Sequence, residues 1–285
     1  MGQSGGLSRP RLSPGQVRDA GLRAALAALV AAVPALVLSA DPAAGESRTA
    51  GLVLAAAAGL YVLVEYGART PALVDFRFAP PINRLRFALA ALTLLATTAC
   101  VAFADAPGPL GATFAGFGAA MDFPFSPVGM AADIFTRASA PAPDPAVEYA
   151  AATAFCVALT CTLAFGAVIR FGPWPRAEQR MNLLVNLPTL DVDRGDRGAA
   201  RLRLLGAQVL VTAAGALFAM LVVGGFAVSL LAPGVEISPL ALVWSATLWA
   251  GAPGAMALRG VALLKLASRL RRDGGLEGGD AARRS

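Results

Sequence analysis

Six long apolar runs alternate with polar segments along the chain, and this alternation predicts its architecture. A helix needs about 20 mostly apolar residues to cross a hydrocarbon core about 30 Å thick, and each run roughly reaches that length with its flanking residues. We therefore predict an all-α, polytopic membrane protein with six transmembrane helices. The predicted crossings are residues 24–40, 50–64, 87–104, 147–169, 204–232 and 240–258.

The polar segments divide the chain into three predicted domains. These are an N-terminal arm over residues 1–23, a transmembrane domain over 24–258, and a basic tail over 259–285 that is expected to be partly disordered. Within the tail, 261–270 has the pattern of an amphipathic helix that lies along the bilayer surface. The basic arm and the first apolar run, with its small residues at 38–40, are also typical of a signal peptide, and that alternative stays open.

Basic residues are concentrated in alternate polar segments. Of the 24, the arm holds four, the 69–86 loop four, the 170–203 loop seven and the tail seven. Because basic residues near the crossings are retained on the cytoplasmic side, we predict that both termini are cytoplasmic. Residues 105–146 then form a long outer loop between helices 3 and 4. The preference for arginine over lysine is typical of a GC-rich bacterial genome, so a bacterial inner membrane is the expected location.

The composition agrees with a membrane protein and narrows the expected partners. Apolar residues make up 56% of the chain and charged residues 15%, against about 25% charged residues in average proteins. Orientation in the membrane accounts for the net charge of +6, so we predict no nucleic acid partner. The expected partners are membrane lipids and other integral membrane proteins.

Side chains that usually carry catalysis or bind metals are scarce. The chain has no histidine, the commonest metal ligand and general base. Cys100, Cys156 and Cys161 lie within apolar runs, without the spacing of a redox or metal motif, and are expected to be buried. Glu65 and Glu148 fall at helix ends, where we expect solvated carboxylates. We therefore predict no catalytic residue, no metal site and no cofactor, and we do not expect enzymatic activity.

Four arginines lie where predicted helices begin. We expect them either to contact anionic lipid head groups or to serve only in fixing the topology. Sliding the chain by 117 residues places Arg84 and Arg86 on Arg201 and Arg203, and a slide of 63 places Leu22-Arg23 on Leu85-Arg86. Such matches are typical of internal duplication, although similar composition also produces them. The four residues are Arg84, Arg86, Arg201 and Arg203.

The outer loop is more apolar than a solvated loop. Pro124 and Pro127 divide it into two possible short helices, 112–121 and 128–137. Because a large apolar surface in water favours aggregation, we predict that the loop lies on the bilayer surface, enters it as a re-entrant segment, covers a partner or caps the protein's own helix bundle. Its predicted partner or interface residues are Phe114, Phe117, Phe123, Phe125 and Phe135.

These patterns lead to three hypotheses about function. The first is a non-catalytic accessory, assembly or scaffold subunit that contacts other membrane proteins through the outer loop and through small-residue helix faces. The second is a small transporter or channel built from helical hairpins. The third is a membrane enzyme whose arginines hold lipid head groups. The small residues spaced for helix contact are Ala55 with Gly59, Ala158 with Thr162 and Gly166, and Gly215 with Ala219.

Overall fold

Helices are the only regular secondary structure in the described part of the chain. A computed structural model describes residues 14–38, 45–68, 75–76, 81–103, 106–139, 145–174, 196–231 and 237–282. Within these ranges there are eight helices and no strand. The helices are α1 (Pro14–Leu38), α2 (Gly45–Gly67), α3 (Ile82–Phe103), α4 (Pro109–Met121), α5 (Pro127–Ser139), α6 (Pro145–Phe171), α7 (Asp196–Leu231) and α8 (Pro239–Ala282).

Six of these helices are long and apolar enough to cross a membrane, which confirms the predicted fold class. They are α1, α2, α3, α6, α7 and α8. Each begins before its predicted apolar run, and α2, α6 and α8 also continue past its end. The helices also cross both predicted domain boundaries, since α1 begins at Pro14 and α8 ends at Ala282. The side of the membrane that each terminus faces stays a prediction.

Helix α8 is the centre of the bundle. It packs against α1, α3, α6 and α7. In its apolar span 56% of the residues are buried, against 11% in the span of its neighbour α7. At 1.5 Å per residue its 44 residues extend over about 66 Å, well beyond a hydrocarbon core. Alanines such as Ala246 and Ala250 are buried in α8 and allow the neighbouring helices to approach closely.

The prediction that 261–270 lies along the bilayer surface is wrong. Ala262, Leu263 and Leu266 are buried in a hydrophobic cluster with Ile169 of α6 and Leu202 of α7. The predicted apolar face of this helix is present, but it packs against other helices and not against lipid. Sequence periodicity does not separate these two surroundings, because both are apolar.

The two ends of the bundle have separate hydrophobic clusters. We call the end where α1, α3 and α7 begin and α2 and α6 end the basic end. Its cluster includes Phe76, Ile82, Trp174 and Leu202. The opposite end, which we call the α4–α5 end, is filled by small alanines of α6, with Val128, Leu221 and Trp249 among the larger members of its cluster.

Helices α7 and α8 approach each other most closely at a pair of glycines. A Cβ atom added at Gly206 would lie 2.9 Å from Cγ of Leu264 and 3.1 Å from the backbone oxygen of Gly260. Among the small residues predicted for helix contact, Gly59 packs in the same way against α1, where an added Cβ would lie 2.9 Å from Cβ of Ala28. At Gly215, by contrast, an added Cβ would meet nothing within 4 Å.

The two predicted short helices of the outer loop are confirmed as α4 and α5. Each begins with proline, whose fixed φ angle suits the first turn of a helix and whose missing N–H would have no partner there. Helix α4 packs on α6, and α5 packs on α6 and α7. Gly118 of α4 allows this contact, because an added Cβ would lie 2.8 Å from Cδ1 of Tyr149. The pair therefore covers one end of the bundle.

Candidate functional site

Asp75 and Phe76, in the segment between α2 and α3, contact other helices at the basic end. Asp75 Oδ2 forms an ion pair of 2.7 Å with Nη2 of Arg259, and the Asp75 side chain is only 7% exposed. Nδ2 of Asn83 donates a hydrogen bond of 2.9 Å to the backbone oxygen of Asp75. Phe76, at a φ angle of 59°, packs edge-to-face on Trp174 with ring centroids 6.0 Å apart. The segment thus joins α3, α8 and the end of α6.

The ion pair carries a desolvation cost that is only partly compensated. Oδ1 of Asp75 and Nε of Arg259 are buried without a hydrogen-bond partner. Breaking such a pair on one side is more costly than replacing both partners, because the remaining charge stays buried and unpaired. Nearby, Nζ of Lys265 donates to the backbone oxygens of Arg170 and Gly172 at 2.7 and 3.2 Å, which satisfies carbonyls at the end of α6.

Beside this segment lies a cleft of about 690 Å³, which we call the basic cleft. Its walls are α1, α2 and α3, with Ala255 of α8 among the lining residues. The guanidinium of Arg23 lies over the ring of Tyr66, 4.6 Å from its centroid, and this cation–π contact connects α1 to α2. The charged residues that line the cleft are Asp19, Arg23, Glu65, Arg84 and Arg86.

Among the described residues that line the cleft, three arginines and two carboxylates leave one positive charge in excess. Arg86 is half-buried, and its Nη1 donates a long hydrogen bond of 3.4 Å to Oδ1 of Asn83. Arg84 is exposed. Glu65 is 5% exposed, so the expectation that its carboxylate is solvated is wrong. Its position at a helix end indicated solvent exposure, but α1 packs along α2 and the side chain is buried.

The structure separates the four predicted arginines into two pairs. Arg84 and Arg86 line the basic cleft, whereas Arg201 and Arg203 lie exposed on the first turns of α7 and do not line it. Sequence reasoning missed Arg23, which belongs to the same cleft. The 63-residue match between Leu22-Arg23 and Leu85-Arg86 was the available signal for it. Half of the 117-residue match, at residues 71, 73 and 77 and at 188, 190 and 194, lies outside the described residues.

The predicted interface phenylalanines also fall into two groups. Phe114 and Phe135 are 5% and 9% exposed and pack within the α4–α5 end, and Phe117 is partly buried against the same cluster. Phe123 and Phe125, in the turn between α4 and α5, are 49% and 92% exposed. One group therefore attaches the hairpin to the bundle, and the other points away from it.

The exposed pair is held in a defined turn, which we call the aromatic tip (Phe123 to Phe125). The backbone N–H of Ser126 donates to the oxygen of Phe123 at 3.0 Å. Oγ of Ser126 accepts a hydrogen bond of 3.2 Å from the N–H of Val128 and thereby caps the start of α5. Phe125 has a φ angle of 64°, which non-glycine residues seldom adopt.

The predicted burial of the three cysteines is confirmed for two of them. Cys100 and Cys161 are buried, while Cys156 is partly exposed, and all three thiols are free. Among the residues that the structure describes, no three His, Cys, Asp or Glu side chains are grouped so that they could hold a metal ion.

Comparison of the chain with protein-family models, curated proteins and solved structures finds no match.

Proposed function

We propose that this chain is a non-catalytic integral membrane subunit, of the accessory, assembly or scaffold class, that contacts another membrane protein through its aromatic tip. The observation that carries the proposal is Phe125, whose ring is 92% exposed although its backbone is held in a capped turn. A bacterial inner membrane, with both termini cytoplasmic and the tip outside, is part of the proposal.

The chemistry of the tip favours a protein over lipid as its partner. Aromatic residues are enriched among the few that dominate binding energy at protein interfaces. Asp122, directly before Phe123, is exposed, and hydrocarbon would have to accommodate its charge. A tip that is already ordered loses little conformational entropy on binding. These features fit two aromatic anchors beside a polar rim, which is the usual anatomy of a protein interface.

The interior of the bundle favours a subunit over the transporter or channel alternative. Two hydrophobic clusters occupy the space between α3, α6 and α8 within the described part of the chain. Trp249 fills part of it, stacking on Phe155 at 5.9 Å and donating its indole N–H to the oxygen of Leu217 at 3.0 Å. A transport path would have to displace these side chains.

Site-specific photocrosslinking tests the proposal in cells that make the protein. A photoreactive phenylalanine analogue in place of Phe125 should crosslink in high yield to one membrane protein of constant size. The matched control is the same analogue at Phe171, a phenylalanine that is 80% exposed near the basic end. We expect no such product there. In a tagged protein, Phe123→Ser with Phe125→Ser should release the same partner during purification in mild detergent.

Two results would overturn the proposal. If the analogue at position 125 crosslinks only to lipid, the tip is a membrane anchor. If the double serine variant retains the partner in full, the partner is held by another surface.

A further inference from the structure

The basic cleft combines arginines from separate helices with an apolar wall, and neither the ion pair at Asp75 nor the aromatic tip uses it. We infer that it binds one anionic phospholipid. The phosphate contacts Arg23, Arg84 and Arg86, and an acyl chain lies along the apolar wall. The inference does not depend on the proposed subunit function, because the cleft and the aromatic tip are at opposite ends of the bundle.

The lining residues change from polar to apolar along two of the three helices. On α2, Glu65 lies near the helix end and Val62 one turn deeper. On α3, Arg84 lies in the first turn and Phe87 follows one turn deeper. A molecule that fits this order has a charged group at the membrane interface and hydrocarbon beneath it. That is the arrangement of a lipid in its leaflet.

The three guanidinium groups identify phosphate as the charged group. Guanidinium presents N–H donors in a planar fork that matches phosphate oxygens, which makes arginine a preferred phosphate ligand. Arg84 has no hydrogen bond or ion pair to the described residues that would compete with a ligand. Arg23 is held against Tyr66, and Arg86 against Asn83, so two of the three groups are already positioned.

The charge balance favours a lipid with a single negative charge. Asp19 and Glu65 reduce the three positive charges of the cleft to a net charge of +1. A phosphodiester such as phosphatidylglycerol matches that charge, whereas head groups with several phosphates would be repelled by the two carboxylates. The choline head group carries its own cation, so phosphatidylcholine is a weaker match.

The apolar wall favours a lipid over free phosphate. Leu22 and Leu26 of α1 are 71% and 48% exposed, and Phe87 of α3 is 36% exposed. These side chains line the same cleft as the arginines. Inorganic phosphate would use only the charged mouth and leave the wall uncovered. An acyl chain that lies along the wall adds dispersion contacts with these side chains.

Native mass spectrometry of the delipidated full chain in detergent tests this inference. Phosphatidylglycerol, and separately phosphatidylcholine with the same acyl chains, would be titrated against the protein. We expect one phosphatidylglycerol per chain and weaker binding of phosphatidylcholine. Since a basic residue near an anionic head group changes affinity by about fivefold, Arg23→Gln with Arg84→Gln should weaken phosphatidylglycerol binding by about 25-fold.

Two further variants separate the cleft from general attraction to a basic surface. Arg197→Gln with Arg203→Gln removes the same charge from exposed positions on α7 that do not line the cleft, and should keep the wild-type affinity. Ala27→Trp fills the apolar part of the cleft and leaves every charge in place. It should lose the lipid while its circular dichroism spectrum and gel-filtration volume are unchanged.

The outcomes that would overturn the inference are distinct. Equal losses in the two double arginine variants would mean a uniform basic surface with no site. Equal affinity for the two lipids would exclude recognition of the net charge. If Ala27→Trp keeps phosphatidylglycerol and inorganic phosphate displaces it, the cleft is a small-anion site without a place for the acyl chain.

Discussion

At the basic end, the described residues between α2 and α3 that contact other helices are Asp75 and Phe76, whereas at the opposite end the two helices α4 and α5 lie across the bundle. Among the described residues, Asp75 and Phe76 are held by an ion pair, a hydrogen bond to the backbone of Asp75 and an aromatic contact. The α4–α5 hairpin is held by apolar packing on α6 and α7, with small residues such as Gly118 at the closest contact.

The two kinds of closure distribute stability differently. A buried ion pair concentrates its effect in two side chains, because loss of either one leaves the other charge unpaired. Apolar packing spreads its effect over many contacts, each of which contributes little alone. Replacing one charged residue of the ion pair should therefore lower the stability of the basic end. The stability of the α4–α5 end should fall only when a large buried side chain is lost.

The largest expected effect comes from Arg259→Leu. It removes the ion-pair partner of the buried Asp75 carboxylate. Because the Arg259 side chain is 32% exposed, we expect a loss of about 3–4 kcal/mol in the free energy of unfolding, in the lower part of the range for a buried pair. Adding Asp75→Leu should restore most of that loss, since the double variant removes both charges of the pair. Thermal unfolding in detergent measures both variants.

The control for this prediction is Arg18→Gln. Arg18 Nε lies 4.0 Å from Asp19 Oδ1, and both side chains are highly exposed, so we expect no measurable change in stability. If Arg259→Leu is equally neutral, the ion pair does not hold the basic end.

A smaller effect is expected from Phe135→Ala at the α4–α5 end. The side chain is 9% exposed and packs between α5 and the helices beneath it. Its removal should cost about 3 kcal/mol, the lower part of the range for a buried phenylalanine, because the site lies near the surface and can partly collapse.

Phe125→Ala is the matched control, because it makes the same chemical change at a ring that is 92% exposed. It should leave the unfolding temperature unchanged. Equal destabilisation by the two variants would mean that the aromatic tip also holds the hairpin to the bundle, and would weaken the docking proposal.

The sequence predicted the helices better than their surroundings. Apolar length located all six membrane helices, and Pro124 and Pro127 correctly marked the turn between α4 and α5. The same patterns did not reveal that Leu263 and Leu266 are buried between helices, since lipid and protein interior are both apolar. They also did not predict that Arg23 lines the same cleft as Arg84 and Arg86. That juxtaposition depends on how three helices pack, and each arginine alone looks like a topology signal.

The final prediction concerns orientation and not stability. It tests which side of the membrane each end of the bundle faces. Ser126, in the turn between α4 and α5, is 3% exposed and a poor position for labelling. Exposed Ala120 on α4 and Ala200 on α7 are suitable sites for engineered cysteines. Because the arginine-rich segments are expected in the cytoplasm, Ala120→Cys should react with an impermeant maleimide in intact cells, and Ala200→Cys only after lysis. The unaltered chain, with its three native cysteines, reports the background. The reverse pattern would contradict the proposed topology, because it would place the basic end outside and the phospholipid cleft in the outer leaflet.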